Sequence, residues 1–394
     1  MSWFGVVSPS VARIRYRVRL AGLFLALVGL VLAGLVIEGG LRVWAELRAR
    51  SFVGSAVVTD DIEPDPLLVA WFRPNYHAPD GERSFDAFGF RENGRPRDDS
   101  ALPSPTVLLG GSTAYGWGSA DDETIAARVE QYLRTQAQPN ATVINAGYPG
   151  LTTIDTLLVY DRKIAPLHPS KVVVMAGLND LYYAVDWTPS RRLYWLNRVY
   201  ELGLRARHEP RLRPLVEAIN SIALRNCFTC YAIGTGFSQL YDRTRLMPAL
   251  NLSQVLGEEP VGTSNERAMR LTAWAIGELA RRVQADGSCL IVAWQPIAGV
   301  PAGPRSEGER DALQQVSRNA PTWPNVAPQM FALLRTDTEP IFASGLAQEV
   351  DLTDVFATIQ ERVYVDDGVH YTPRGNRLIA EVLGPAVAHS ACSA

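Results

Sequence analysis

The sequence predicts an α/β fold with a central parallel sheet, preceded by one N-terminal transmembrane helix. From Pro105 onward, short apolar runs bounded by Gly and Pro alternate with segments of helical period, which is typical of β/α units. Ahead of them, an 18-residue run without a charged side chain begins at Leu20 and ends at Ile37. At about 1.5 Å per helical residue it reaches about 27 Å, close to the thickness of the bilayer hydrocarbon.

The strands are expected at short, β-branched runs: residues 107–109, 143–144, 172–175 and 290–293, with a fifth near 349–352. One helix follows the acidic pair Asp121-Asp122. A second opens with a capping box at Thr263 and closes at Gly287. A third begins at Thr372, where an N-cap residue precedes a proline. Each helix would return the chain to the sheet.

Composition excludes several classes of protein. The 394 residues are 47% hydrophobic and 20% charged, which excludes a disordered or multi-span membrane chain. The 38 basic and 41 acidic residues give a formal charge of −3, so no global field favours nucleic acid. We divide the chain into a cytoplasmic arm (1–19), a transmembrane helix (20–44), a linker and entry segment (45–100) and a main domain (101–394).

The arginines around the apolar run predict its orientation. Four precede it and three follow it within a short distance, so the N-terminus is expected in the cytoplasm. The chain would then be a single-pass inner-membrane protein with a periplasmic main domain, in contact with lipid through Leu20 to Ile37. A cleaved signal peptide is the alternative, but no A-x-A site closely follows the run, which favours the anchor.

The sequence contains four cysteines, and two of them stand close together. If the main domain lies outside the cytoplasm, Cys227 and Cys230 are a local disulfide candidate and not a redox centre, because no βαβ context surrounds them. Cys289 lies in an apolar strand and is expected to be an inert buried thiol. No His or carboxylate stands at zinc-ligand spacing beside the cysteine pair, so we expect neither a metal nor a cofactor.

Polar or Gly-rich sequences follow each of the first three expected strands. They are Gly110-Gly111-Ser112, Asn145-Ala-Gly147 and Gly177-Leu-Asn179-Asp180. His370 stands on a loop just before the last helix. In an open parallel sheet, functional loops lie at the carboxyl ends of the strands, so these residues are expected to meet.

These residue types suit acyl transfer. Ser112 would be the nucleophile and His370 the base, while Asp367 would orient the imidazole. Candidate oxyanion donors are the Ser112 N–H, the Gly147 N–H and the Asn179 amide. A side chain at Gly147 would block the approach of substrate to the backbone.

Four further residues near these sequences are candidates for substrate contact: Tyr115, Trp117, Asp180 and Tyr182. For Asn179 and Asp180 an alternative stays open, in which both simply cap the helix that follows.

Taken in order, these sequences resemble the four blocks of the SGNH hydrolases, the GDSL-type esterase superfamily. The resemblance runs from Gly110 to His370 and implies a flavodoxin-like three-layer α/β/α sandwich, with Ser112, Gly147, Asn179 and His370 in the four eponymous roles and Asp367 completing the triad. Gly111 stands where the GDSL motif has Asp. That substitution, with the entry motif Phe88-Gly-Phe-Arg91, is similar to a membrane-tethered bacterial branch with GGST-type motifs.

Residues 181–262 are too long for a simple connection and are expected to form an insertion over the site. The segment starts with crowded aromatic residues and continues with seven arginines between Arg191 and Arg213. The aromatic side chains would suit a carbohydrate platform. The arginines would suit anionic lipid, a membrane protein partner or an ordinary solvated lid helix.

Two functional hypotheses follow. The first is a membrane-anchored serine esterase or O-acyltransferase that acts on small acyl esters, such as O-acetyl groups of a glycan. The second is a non-catalytic structural or assembly subunit, held in a membrane complex through its anchor helix and arginine-rich insertion.

Overall fold

The computed structural model describes residues 21–22, 24–37, 40, 61–65, 69–95, 104–136, 138–186, 263–301, 306–365 and 369–390. Its centre is a five-stranded sheet in which every pairing is parallel, with the order β4-β3-β5-β6-β7. The strands are β3 (Thr106–Gly110), β4 (Val143–Gly147), β5 (Lys171–Ala176), β6 (Cys289–Trp294) and β7 (Gln348–Asp351). All five expected strands are therefore present.

Helices cover both faces of this sheet. They are α1 (Ser112–Tyr115), α2 (Ile125–Thr135), α3 (Thr153–Val159), α4 (Leu178–Asp186), α5 (Ser264–Ala285), α6 (Glu307–Asn319), α7 (Trp323–Ala343) and α8 (Pro373–His389). Successive strand residues face opposite ways: Val107 and Leu109 enter one core with α3, α5 and α7, and Leu108 enters the other with α2 and α8. The fold is a three-layer α/β sandwich, and the three helices expected from the sequence are all present.

The strand order places the site. The strand that follows β3 in sequence, β4, pairs with one edge of β3, and the next strand, β5, pairs with its other edge. This is the flavodoxin-like order. Gly110, the last residue of β3, pairs with Gly147 of β4 and with Met175 of β5. The crevice at this reversal point is where ligands bind in open α/β sheets. Ser112 follows β3 and therefore lies at the mouth of this crevice.

The entry segment packs beside this crevice. It contains a two-stranded antiparallel hairpin, β1 (Ile62–Asp65) and β2 (Val69–Phe72). Phe72 stacks on Phe85 with ring centroids 4.4 Å apart and on Tyr115 with centroids 5.1 Å apart. This small aromatic cluster joins the entry segment to the helix that carries Ser112.

In the N-terminal region, residues 24–37 are helical and their large apolar side chains are exposed. The described part of the chain contains no helix that combines the length and hydropathy of a membrane span. The transmembrane helix predicted at 20–44 falls partly on residues outside the described ranges.

Two expectations about the cysteines and the insertion differ from the structure. Cys289, expected to be a free thiol, is disulfide-bonded. The predicted insertion was placed to begin at 181, but 181–186 continue α4, and Leu181 lies in the main core. Cys227, Cys230 and residues 187–262 as a whole lie outside the described residues, so the local disulfide stays a prediction.

Candidate functional site

Ser112 and His370 meet at the carboxyl edge of the sheet. Nε2 of His370 lies 2.7 Å from Oγ of Ser112, although 258 residues separate them along the chain. Both side chains are half-buried. Ser112 is the first residue of α1, a four-residue helix that follows β3 directly. Its backbone N–H stands in the first turn, where no preceding helical carbonyl can accept it.

The loop before α8 fixes the position of His370. The backbone carbonyl oxygen of His370 accepts a hydrogen bond from the Val365 N–H at 2.9 Å. The next residue, Tyr371, is buried and donates its hydroxyl to the carbonyl of Pro296 at 2.6 Å. Pro296 follows β6, so this bond ties the histidine loop to the same edge of the sheet. Thr372 then caps α8 by accepting from the Gly375 N–H at 3.2 Å. Asp367, the predicted third member of the triad, lies outside the described residues.

Gly147 does not offer the free oxyanion donor that was predicted from the sequence. Its N–H donates to the side-chain oxygen of Asn145 at 3.1 Å and so is already committed. A Cβ atom on Gly147 would overlap the backbone nitrogen of Tyr115 and come 2.6 Å from the carbonyl carbon of Ala114. Gly147 is therefore glycine because the backbone of α1 packs directly against β4, and not to admit substrate.

The loop after β4 offers another donor. Between 147 and 153, the N–H groups of Gly147, Tyr148, Leu151, Thr152 and Thr153 all donate to described acceptors. Pro149 has no N–H, which leaves only Gly150 without an acceptor among the described residues. Gly150 has φ +83°, a left-handed conformation that favours glycine. Sequence reasoning missed it, although Pro-Gly is a turn signal.

Asn179 lies close to the turn between β3 and α1. Its Nδ2 donates to the carbonyl oxygen of Leu151 at 2.7 Å, in the same loop as Gly150. It also fills the space that a Cβ atom on Gly111 would need. The amide has two hydrogens, and the bond to Leu151 uses one of them. The structure thus brings the Asn179 amide next to the residue that precedes Ser112.

Asp180 is a structural residue, contrary to the prediction of substrate contact. The side chain is only 6% exposed and accepts bonds from Thr153 N–H (3.0 Å), Thr153 Oγ1 (2.8 Å), Gly177 N–H (3.3 Å) and Thr272 Oγ1 (3.3 Å). It joins the start of α3, the start of α4 and the middle of α5. Burial raises the pKa of the Asp180 carboxyl, and the hydrogen bonds oppose this shift. The capping alternative is correct for Asp180.

Tyr115 is also buried, contrary to the prediction that it contacts substrate. Its ring is 3% exposed and lies between Phe72 and the guanidinium of Arg91, which is 4.7 Å from the ring centroid. Burial raises the pKa of the Tyr115 hydroxyl, and the charges of Arg91 and Arg83 oppose that shift. A side chain enclosed in this way belongs to the packing beneath α1 and does not reach substrate.

The other two predicted contacts lie in different places. Trp117 is 51% exposed and stacks on the imidazole of His370, with ring centroids 5.8 Å apart and planes 28° apart. Tyr182 is half-buried against the main core, with its ring 6.1 Å from that of Trp323. Of the two, only Trp117 contacts one of the two central residues.

The arrangement suits nucleophilic chemistry at Ser112. A base is within hydrogen-bond distance of the hydroxyl, and three potential oxyanion donors surround the turn: the Ser112 N–H, the Gly150 N–H and the Asn179 amide. Just behind, Oγ1 of Thr113 donates to Oε1 of the buried Gln295 at 2.6 Å, which fixes the residue after the nucleophile. Across the described ranges, no three His, Cys, Asp or Glu side chains group as metal ligands.

Comparisons with known proteins agree with this geometry. The sequence model of the GDSL-like Lipase/Acylhydrolase family matches residues 108–327, which is more than half of the chain. A search of curated proteins found no match.

Similar solved structures include three proteins with TM-scores below 0.5. The lipase/acylhydrolase from Enterococcus faecalis is 14% identical, with a TM-score of 0.39, 72% of this chain covered and 95% of that chain. A putative G-D-S-L family lipolytic protein from Desulfitobacterium hafniense DCB-2 is 9% identical, with a TM-score of 0.37 and coverage of 72% and 99%. The acetylxylan esterase Axe2 from Geobacillus stearothermophilus is 12% identical, with a TM-score of 0.40 and coverage of 74% and 96%.

Proposed function

Because the chain belongs to the GDSL-like lipase/acylhydrolase family, we propose that it is a serine esterase or O-acyltransferase for small acyl esters. The observation that carries the proposal is the 2.7 Å contact between Nε2 of His370 and Oγ of Ser112. A structural subunit would have no use for this contact, which depends on two loops from distant parts of the chain. The catalytic hypothesis is therefore the better supported of the two.

The reaction has two halves. Oγ of Ser112 attacks the ester carbonyl while Nε2 of His370 takes the hydroxyl proton. The resulting oxyanion accepts hydrogen bonds from the Ser112 N–H, the Gly150 N–H and the Asn179 amide. The C–O bond to the alcohol then breaks, and His370 gives its proton to the leaving oxygen. Water or a sugar hydroxyl attacks the acyl-Ser112 ester, and the proton returns through His370 to Oγ of Ser112. Asp367 would orient the imidazole throughout.

The surroundings of Ser112 favour a short acyl group on a carbohydrate. Most of the described residues that line the pocket next to Ser112 are small or polar, among them Gly111, Thr113, Thr152, Thr153 and Gln295, and its larger apolar residues are Leu151, Met175 and Leu178. This lining offers little apolar surface to a long acyl chain. Trp117 presents half of its surface to solvent beside the base, and an exposed indole face is suited to stack on a sugar ring.

The proposed location is the periplasmic side of an inner membrane, with residues 20–37 as the anchor. In its support, the helical residues 24–37 expose apolar side chains on every side, including Phe24 at 66% and Val36 at 74%. The disulfide at Cys289 also suits an oxidising compartment. Membrane protein partners through the anchor or the arginine-rich insertion are proposed on sequence grounds alone.

The test is labelling of the full-length, detergent-solubilised protein with a fluorophosphonate probe. We expect wild type to be labelled, Ser112→Ala to be unlabelled, and His370→Ala to react at least about 10³-fold more slowly. Cleavage of p-nitrophenyl acetate should exceed that of the corresponding octanoate if the acyl site is short. A folded wild type that neither reacts with the probe nor cleaves any ester would overturn the proposal and leave the structural-subunit hypothesis.

Two matched controls exclude trivial outcomes. His389→Gln changes an exposed histidine at the end of α8 and should leave labelling unchanged. Ser317→Ala changes a serine of α6 whose hydroxyl donates only to the Leu313 carbonyl, and it too should be labelled like wild type. Loss of labelling in either control would mean that the assay reports folding and not the state of Ser112.

A further inference from the structure

Among the described residues outside the catalytic pair, Arg91 of the entry segment is the buried charged residue with the most hydrogen bonds. Its side chain is 1% exposed. Nε donates to Oδ1 of Asp121 at 2.7 Å, Nη1 to the carbonyls of Tyr115 (3.0 Å) and Gly116 (2.9 Å), and Nη2 to those of Ser119 (2.6 Å) and Glu82 (3.3 Å). Three of these acceptors are backbone carbonyls of the segment that directly follows the candidate nucleophile.

These carbonyls belong to what we call the nucleophile turn, residues 112–121. Tyr115 is the last residue of α1 and Gly116 is its C-cap, so both carbonyls lie where a short helix lacks internal donors. A cation is electrostatically favoured at that end of a helix. A second bond holds the same place, because Nδ2 of Asn145 donates to the Tyr115 carbonyl at 3.2 Å.

Arg91 also binds the backbone on both sides of Trp117. The bonded carbonyls of Gly116 and Ser119 stand on either side of it, and the N–H of Trp117 donates to the Ser112 carbonyl at 3.0 Å. Trp117, whose indole stacks on His370, therefore lies in a turn that the guanidinium of Arg91 binds at both ends. Moving that turn would move both the nucleophile and the ring that covers the base.

The charge of Arg91 is compensated within the same cluster. Asp121 is 6% exposed, and its second oxygen accepts bonds from the N–H (2.7 Å) and the hydroxyl (2.5 Å) of Ser84, another entry-segment residue. A guanidinium offers five donors in one plane, and all its nitrogens are used here. Lysine offers a single ammonium and could not reach the carbonyls on both sides of the turn.

We propose that Arg91 is a positioning residue of the active site: it fixes the nucleophile turn and, through Trp117, the surroundings of His370. This rests on the proposed function of that site. The family match begins at residue 108, so the clamp comes from a part of the chain outside the matched domain. The entry segment is then a working part of the site and not only a connection to the anchor.

The test compares Arg91→Lys and Arg91→Ala in the full-length protein. With p-nitrophenyl acetate, both variants should lose at least about tenfold in kcat while KM changes less than about twofold, because orientation and not binding is impaired. Added guanidinium should restore at least about half of the lost rate to Arg91→Ala, since it can occupy the vacated space. It should do nothing for Arg91→Lys, whose own side chain fills that space, or for His370→Ala.

Two further variants distinguish a positioning effect from a general loss of folding. Arg95→Ala removes a half-exposed arginine of the same segment, paired with Glu130, and should leave kcat unchanged. If both Arg91 variants fail to fold, Ser84→Ala removes only the hydroxyl bond to Asp121 and should lower kcat by about two- to fivefold. Wild-type kcat in Ser84→Ala, or a folded Arg91→Ala that guanidinium does not rescue, would overturn the proposal.

A readout without turnover separates this proposal from the proposed function. The imidazole resonances of His370 can be followed by NMR at one fixed pH and assigned with His370→Gln. In Arg91→Lys their chemical shifts should differ from the wild-type values, because the stacked indole of Trp117 has moved. If wild type shows neither turnover nor labelling, the proposed function fails. The positioning role is then supported if these chemical shifts change and overturned if they do not.

Discussion

The side-chain amide of Asn179 occupies the space where a side chain on Gly111 would begin, and the carbonyl of Leu151 holds it there at 2.7 Å. The residue before the nucleophile is thus glycine for a reason specific to this site. Any side chain at 111 must displace the end of Asn179, which is the one candidate oxyanion donor that belongs to a side chain and not to the backbone.

Gly111→Ala should therefore lower kcat by about 10²-fold, the effect of losing one oxyanion donor, and leave the melting temperature nearly unchanged. Only a flexible side-chain end has to move, so the fold survives. A double-mutant cycle with Asn179→Ala checks the mechanism. Once Asn179 is alanine, Gly111→Ala should have no further effect on kcat, and fully additive losses would contradict this account.

Gly147→Ala should act on stability instead. The new methyl group would meet the backbone of α1, which cannot move aside as a side chain can. We expect a loss of about 1–3 kcal/mol or more in the free energy of unfolding, measured by urea titration. The control is Gly277→Ala in α5, where the nearest atom is the end of Ile341 at 3.3 Å. That variant should gain up to about 1 kcal/mol from helix propensity.

Trp117→Ala should weaken binding of a sugar ester. Loss of one aromatic stacking face is worth about 0.5–1.5 kcal/mol, so KM for an O-acetylated oligosaccharide should rise about two- to twelvefold. KM for p-nitrophenyl acetate, which has no sugar ring, should change less. Phe88→Ala removes a ring of similar exposure, 45%, from the entry segment and serves as the control. Equal effects of both variants on the two substrates would count against a sugar platform at Trp117.

Asp180→Asn should destabilise the fold by about 1–3 kcal/mol, because donors that now point at the two carboxyl oxygens would in part face an amide NH₂. Burial raises the pKa of this carboxyl above its ordinary 3.8. The folded state therefore holds the proton more tightly than the unfolded chain does. Stability from this group is present below pH 3.8 and is lost as pH rises through the folded pKa. The stability advantage of wild type over the variant should shrink accordingly in urea titrations at rising pH.

Much of the fold could be predicted because its signals are local. The β-branched runs of β3, β5 and β6, the capping box at Thr263 and the Thr372-Pro373 start of α8 each determine their own element. The pairing of Ser112 with His370 followed from the rule that parallel strands present their carboxyl ends at one edge.

The errors have a different origin. Tyr115 and Asp180 stand beside the motif residues in sequence, but helical geometry turns both of them into the protein. Gly147 and Gly150 are equally plausible donors in sequence, and only the hydrogen bond to Asn145 decides between them. The clamp by Arg91 depends on carbonyls more than twenty residues away, which no local pattern reports.

The chain order of the catalytic pair has a consequence for biosynthesis. Ser112 follows the first strand of the main sheet, whereas His370 precedes α8. That helix packs on α2 and accepts a bond from Lys171 through the Val387 carbonyl. During synthesis the nucleophile emerges hundreds of residues before its base. On the proposed function, the hydroxyl stays unreactive until α8 docks. A chain whose synthesis stops before α8 would therefore be catalytically silent.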